Sequence, residues 1–236
     1  MFYPLRRLLA ATSLALLSPV VSAHTVWLEA TDSATDYAVR FGGHAGVLEE
    51  YPPAKLTEVR AVGGAGEPID VARQDLAVGV QLQSAEPASL LTLTFDNGIW
   101  SRLPNGRSEN LPMDQVEGAE SAVNAIKYHK YIARWDAQAT QPQGQAFELV
   151  PLDVEAPAAG QPLRLKILIN GQPTQGIALA FGEEGDDAVS DAAGVAVLTA
   201  RRGVNRIWSG QRLEVADNPA YTQLSTEYSL VFHAQD

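Results

Sequence analysis

"LRLKILINGQPTQGIALAF", residues 163–181, decides the fold class. Leu163, Leu165 and Ile167 alternate with Arg164 and Lys166, the period-two pattern of a strand with one buried face. Asn170-Gly171 follows, a dipeptide that accepts the positive φ angles of a two-residue hairpin turn. A second apolar run, Ile177 to Phe181, comes after it, so the stretch reads as two strands around a tight turn. Downstream, "SDAAGVAVLTA" (190–200) reads as a turn and a strand, with Asp191 bonding local backbone and Gly194 supplying φ > 0. "RIWSG" (206–210) and "STEYSLVF" (225–232) add further strands. Upstream, "DYAVRF" (36–41) and "LLTLTF" (90–95) are β-rich, and Asn97-Gly98 and Asn105-Gly106 are turn dipeptides. The expectation is an all-β protein built as two β-sandwich-like halves.

One segment breaks the pattern. In "MDQVEGAESAVNAIKYHKYIARW" (113–135), Val116, Ala119, Val123, Ile126 and Ala133 recur at roughly helical spacing and alanine is frequent. This predicts a short helical segment near the junction of the halves, from about Ser121 to Arg134. "QATQPQGQ" (138–145) is polar, carries Pro and Gly, and reads as the linker. The expected organisation is a signal peptide at 1–23, an N-terminal β-sandwich domain with the helical segment at 24–137, and a C-terminal sandwich domain at 145–236.

The first residues read as a secretory leader. Arg6 and Arg7 precede an apolar run, and Val21-Ser22-Ala23 supplies small residues for cleavage. The run is shorter than the ~20 residues that span a bilayer, and no later stretch is apolar enough to do so. The expected mature protein is soluble and periplasmic, without stable membrane insertion. Removing residues 1–23 leaves 213 of 236 residues and moves the formal charge from −11 to −13. So acidic a chain repels nucleic acid and anionic lipid. Cysteine is absent, which rules out a disulfide framework, thiolate metal sites and cysteine catalysis.

Cleavage after Ala23 would make His24 the first residue. An α-amine and an imidazole on one residue form a bidentate nitrogen ligand, and a further imidazole would complete a set suited to Cu(II) or Ni(II). The chain has four histidines, His24, His44, His129 and His233, and no H-x-H or H-x3-H pair. His44 lies in a glycine-rich "FGGHAG" and His129 in "KYHKY"; these two are the candidate partners of His24, whereas His233 reads as strand-end polarity. The acidic run "GEEGDDAVSD" (182–191) does not follow an EF-hand pattern and reads as a solvated loop. Trp27, Trp100, Trp135 and Trp208 read as core residues rather than a sugar platform. Nucleophile-elbow, zincin, P-loop and dinucleotide-binding motifs are all missing, so an enzyme is not expected.

Several stretches together, "AHTVWLE" (23–29), "AIKYHKYIARW" (125–135), "FELVPLD" (147–153), the 163–181 hairpin with "SDAAGVAVL", and "TEYSLVF" (226–232), resemble a family of bacterial periplasmic proteins grouped with nickel and cobalt transport systems. The second half is also similar to transthyretin-like or Cna-B-like sandwiches. The resemblance implies a transition metal ion (nickel, cobalt or copper) as ligand and an inner-membrane metal transporter as partner. In the family's motif the histidine after the leader corresponds to His24, followed by Trp27 and Glu29, and the "KYxK" pattern falls on Lys127, Tyr128 and Lys130. Two other readings remain at this stage: an interaction module without metal, and a copper enzyme with an amino-terminal histidine brace.

Overall fold

A computed structural model describes residues 24–43, 47–182 and 187–235. These residues are nearly all β, as expected. Three sheets form: one of five strands, one of nine and one of four. The nine-stranded sheet is the middle layer. At its centre the strand Ser121–Ile132 lies antiparallel to Leu90–Arg102 on one side and parallel to Gln223–His233 on the other. Val204–Glu214 then extends the sheet beyond Gln223–His233. The C-terminal strand therefore sits beside strands from the first half, and the two sandwich-like halves share one sheet.

Alternation along the shared strands explains how one sheet serves two cores. Tyr131 and Val231 face the first core, with Leu91, Leu93 and Phe95 from the neighbouring strand. This core is closed by the strands Thr25–Ala30, Asp36–Gly43 and Val80–Ser84. Ile132, Leu230 and Phe232 face the other way, into a core closed by Phe147–Pro151, Pro162–Ile169 and Val195–Thr199. Strands buried on both faces lose the apolar-polar alternation that marks a half-exposed strand.

That loss accounts for the failure of the helical reading. Ser121–Arg134 is not helical: Ser121–Ile132 is an extended strand of twelve residues. Its alanines favour a helix locally, but pairing on both edges and burial on both faces outweigh a propensity difference of under ~1 kcal/mol per residue. Among the described residues, helical structure flanking this strand is limited to two short 3₁₀ turns, Met113–Gln115 and Ala137–Thr140, the second running into the predicted linker.

The opening hairpin forms, and then departs from the simple reading. Asn170 and Gly171 have φ of 50° and 74°, and Gln172–Pro173 pairs back on Leu168 and Ile169. The chain then leaves for the shared sheet, where Ala178–Phe181 pairs with Val204–Glu214. Asn97-Gly98 is not a turn. It lies inside Leu90–Arg102, where the register with Ser121–Ile132 shifts between Asn124 and Ile126. Gly98 takes φ 82° there and donates its N–H to Asp96 Oδ1 at 2.8 Å, forming a β-bulge.

The Asp191–Gly194 turn is as read from sequence. Asp191 Oδ1 accepts from the backbone N–H of Ala193 at 2.8 Å and of Val195 at 2.9 Å. Gly194 has φ 71°, and a Cβ there would stand 2.7 Å from the Thr174 backbone nitrogen. Gly194→Ala therefore meets both a strained backbone and a clash, and should lower stability by about 1–3 kcal/mol or more in urea denaturation.

Candidate functional site

The first strand, Thr25–Ala30, lies across the shared sheet and positions His24 at its leading end. It pairs with Asp36–Gly43, with Thr25 opposite Gly42 and Trp27 opposite Arg40. His24 stacks on Phe41 at 5.7 Å between ring centroids, and its Nε2 is 2.7 Å from Glu49 Oε1. Trp27 is buried beneath Arg206, whose guanidinium lies 3.9 Å from its ring centre, while Glu29 pairs with Arg40 at 2.8 Å.

His24 and Glu49 line a cleft of about 760 Å³. Its floor is the shared sheet just beyond the cover of the smaller sheet. Ser121, Val123 and Ala125 on the central strand and Ser225 on the C-terminal strand are small, which leaves the space open. Lys127 and Glu227, directly opposite in the parallel pairing, form a nearly buried ion pair at the inner end. One wall carries Lys55, whose Nζ donates to Asn97 Oδ1 at 2.7 Å and lies 5.4 Å from the centre of Trp100. The bulge at Asn97-Gly98 presents this acceptor. Burial, with Lys127 nearby, lowers the Lys55 pKa. Trp100 remains 37 % exposed, so the expectation that all four tryptophans fill the core does not hold for it.

His129 occupies a different place from His24. It is fully buried and does not line the cleft. The Leu28 N–H donates to its Nε2 at 3.1 Å, which fixes the proton on Nδ1. Nδ1 lies 2.7 Å from Ser229 Oγ and 3.0 Å from Ser229 O, and Ser229 Oγ donates to Val26 O. Both imidazole nitrogens are thus occupied in clipping the first strand to the sheet, and neither is available to a metal in this fold. Burial lowers its pKa to about 3; the hydrogen bond to the Ser229 backbone opposes this, and Arg206 adds a smaller lowering effect. His44 lies outside the described residues, as do Glu183, Glu184 and Asp186 of the acidic run. His233 ends its strand exposed.

The "KYHKY" segment thus resolves into three buried polar residues, each with a dedicated partner: Lys127 with Glu227, His129 with Ser229, and Lys130 with Glu148. The sequence reading missed Glu49, Lys55, Arg102 and Arg212 as site residues and assigned Trp100 to the core; the fold gathers all of them around His24 from four separate strands and loops. Among the described residues, no group of three or more His, Asp or Glu side chains is arranged to hold a metal ion. No helix among them is long and apolar enough to cross a membrane.

No solved structure matches the chain. It is 34% identical over 221 residues to an uncharacterized protein of Haemophilus influenzae, covering 92% of each chain. Residues 21–207, most of the chain, match a domain of unknown function, DUF4198, and the chain belongs to this family.

Proposed function

We propose that the protein is a periplasmic transition-metal-binding protein that captures nickel or cobalt and passes it on to an inner-membrane transporter without catalysing a reaction. The observation that carries this reading is the position of His24 at the mouth of the cleft, with its imidazole against Glu49. A proton on Nε2, shared with Glu49, places the lone pair on Nδ1, the nitrogen that closes a six-membered chelate with the α-amine once residues 1–23 are removed. A carboxylate accepting from the far side of the ring is the usual support of a metal-bound imidazole. Two of the donors in this set belong to one residue, so the site needs no cluster of three side chains. His129 drops out of the ligand set for the geometric reason given above. Copper would bind most tightly to such nitrogen donors whatever the physiological cargo, so affinity ranking alone does not name the metal.

The test is titration of the protein beginning at His24 with Ni(II), followed by calorimetry. One ion should bind per chain, less tightly as pH falls through the imidazole range, because protons compete for the ligands. Glu49→Gln should weaken binding by about 10- to 100-fold, and His24→Ala by more. A protein that retains Ala23, and so has no amine on His24, should behave like His24→Ala. Unchanged affinity in His24→Ala would overturn the assignment. His44→Ala, on the segment that follows Gly43, tests whether a second imidazole contributes.

A further inference from the structure

The cleft is far larger than a bare ion needs, and its charge differs from that of the chain. The protein has 17 Lys and Arg against 28 Asp and Glu. The cleft reverses this bias, with Lys55, Arg102, Lys127 and Arg212 against Glu49, Glu50 and Glu227. Lys127 and Glu227 neutralise each other. Among the described residues, Lys55, Arg102 and Arg212 form no ion pair, and Lys55 feels nearby carboxylates, those of Asp96 and Glu49. The register places the two arginines on opposite sides of the central strand pair. Arg102 is opposite Ser121, and Arg212 is opposite Ser225. Between them lie the small side chains of the floor and the exposed part of Trp100.

We infer that this cleft binds a small organic hydroxycarboxylate anion, with carboxylates at Lys55, Arg102 and Arg212 and its carbon skeleton against Trp100. The volume, about 760 Å³, falls in the range of small-molecule sites. The guanidinium fork matches a carboxylate through two parallel hydrogen bonds. Glu50, exposed in the same lining, would repel a compact, densely charged oxoanion but accepts from a ligand hydroxyl. The inference does not depend on the metal reading. If both hold, the cargo is an ion presented with its organic chelator.

The probe is citrate, titrated into EDTA-treated, metal-free protein and read by calorimetry. One citrate should bind per chain, with affinity falling as salt rises. The double variant Arg102→Gln/Arg212→Gln should bind at least about tenfold more weakly, as expected when charged hydrogen bonds are lost. Inorganic phosphate at matched ionic strength should also bind at least about tenfold more weakly than citrate, because it offers neither a hydroxyl-bearing skeleton nor spaced charges. Absence of citrate binding, equal binding by the double variant, or equal binding of phosphate each overturns the inference. Nickel titration in citrate-free buffer separates its failure from failure of the metal site.

Discussion

Lys130→Met should lower the unfolding free energy by about 3–5 kcal/mol, because it leaves the Glu148 carboxylate buried without its cation. The Lys130 and Glu148 side chains are 0% and 1% exposed, with Nζ 2.8 Å from Glu148 Oε1. Lys130 Nζ also approaches Leu149 O at 3.4 Å. Glu148 accepts the backbone N–H of Gln143 at 2.6 Å and of Gly144 at 3.2 Å, so it ties the end of the linker to the central strand. Burial lowers the Lys130 pKa, and Glu148 opposes this. Glu148→Leu alone should cost a similar amount, since it strands the ammonium. The double variant Lys130→Met/Glu148→Leu should recover part of the loss, because an apolar pair removes both charge-desolvation penalties together, while the Gln143 and Gly144 N–H groups still lose their acceptor. Urea denaturation of the four proteins forms the cycle. Single-variant losses below about 1 kcal/mol would show that the two groups are not held as a buried pair.

The second large effect is on pH dependence and comes from His129. Its folded pKa is lowered to about 3, whereas an unfolded histidine titrates near 6.5. Above that value both states are neutral and the His129 contribution is fully present. As pH falls from about 6.5 towards 3, the unfolded chain takes up a proton that the folded chain excludes, and stability is lost by about 1.4 kcal/mol per pH unit. The physical reason is the clip. A proton on Nε2 would displace the Leu28 N–H and place a buried cation beside Arg206. His129→Gln, which keeps a donor and an acceptor, should be less stable at neutral pH but flatter between pH 6 and 4, by about one proton's worth of slope. The same slope in both proteins would mean that His129 is reached by protons while folded. Because the clip holds the strand that follows His24, acidification should loosen the cleft mouth as it weakens the fold.

The strand content of this protein was written in local sequence. Alternation in Leu163–Ile169, the Asn170-Gly171 turn and the Asp191–Gly194 turn each depend on residues within a few positions of one another, and each appears as read. The helical reading of Ser121–Arg134 failed for the opposite reason. Its side chains are matched to partners about 100 residues away, Lys127 to Glu227 and His129 to Ser229, and no local period records such pairs. The same holds for Asn97-Gly98, where a partner strand turned a hairpin signal into a bulge.

The candidate site divides in the same way. His24 stood out because the residues just before it read as a leader-cleavage signal, and the bidentate chemistry proposed for it needs only that one residue. Its company was decided only in three dimensions. Registry across the shared sheet sends His129 beneath the first strand, where both nitrogens are consumed, and brings Glu49, Lys55, Trp100, Arg102 and Arg212 to the open cleft. Sequence supplied the imidazoles, carboxylates and cations, and the pairing of Ser121–Ile132 with its two neighbouring strands decided which of them line the cleft and which were sealed inside, because burial depends on partners far away in the chain.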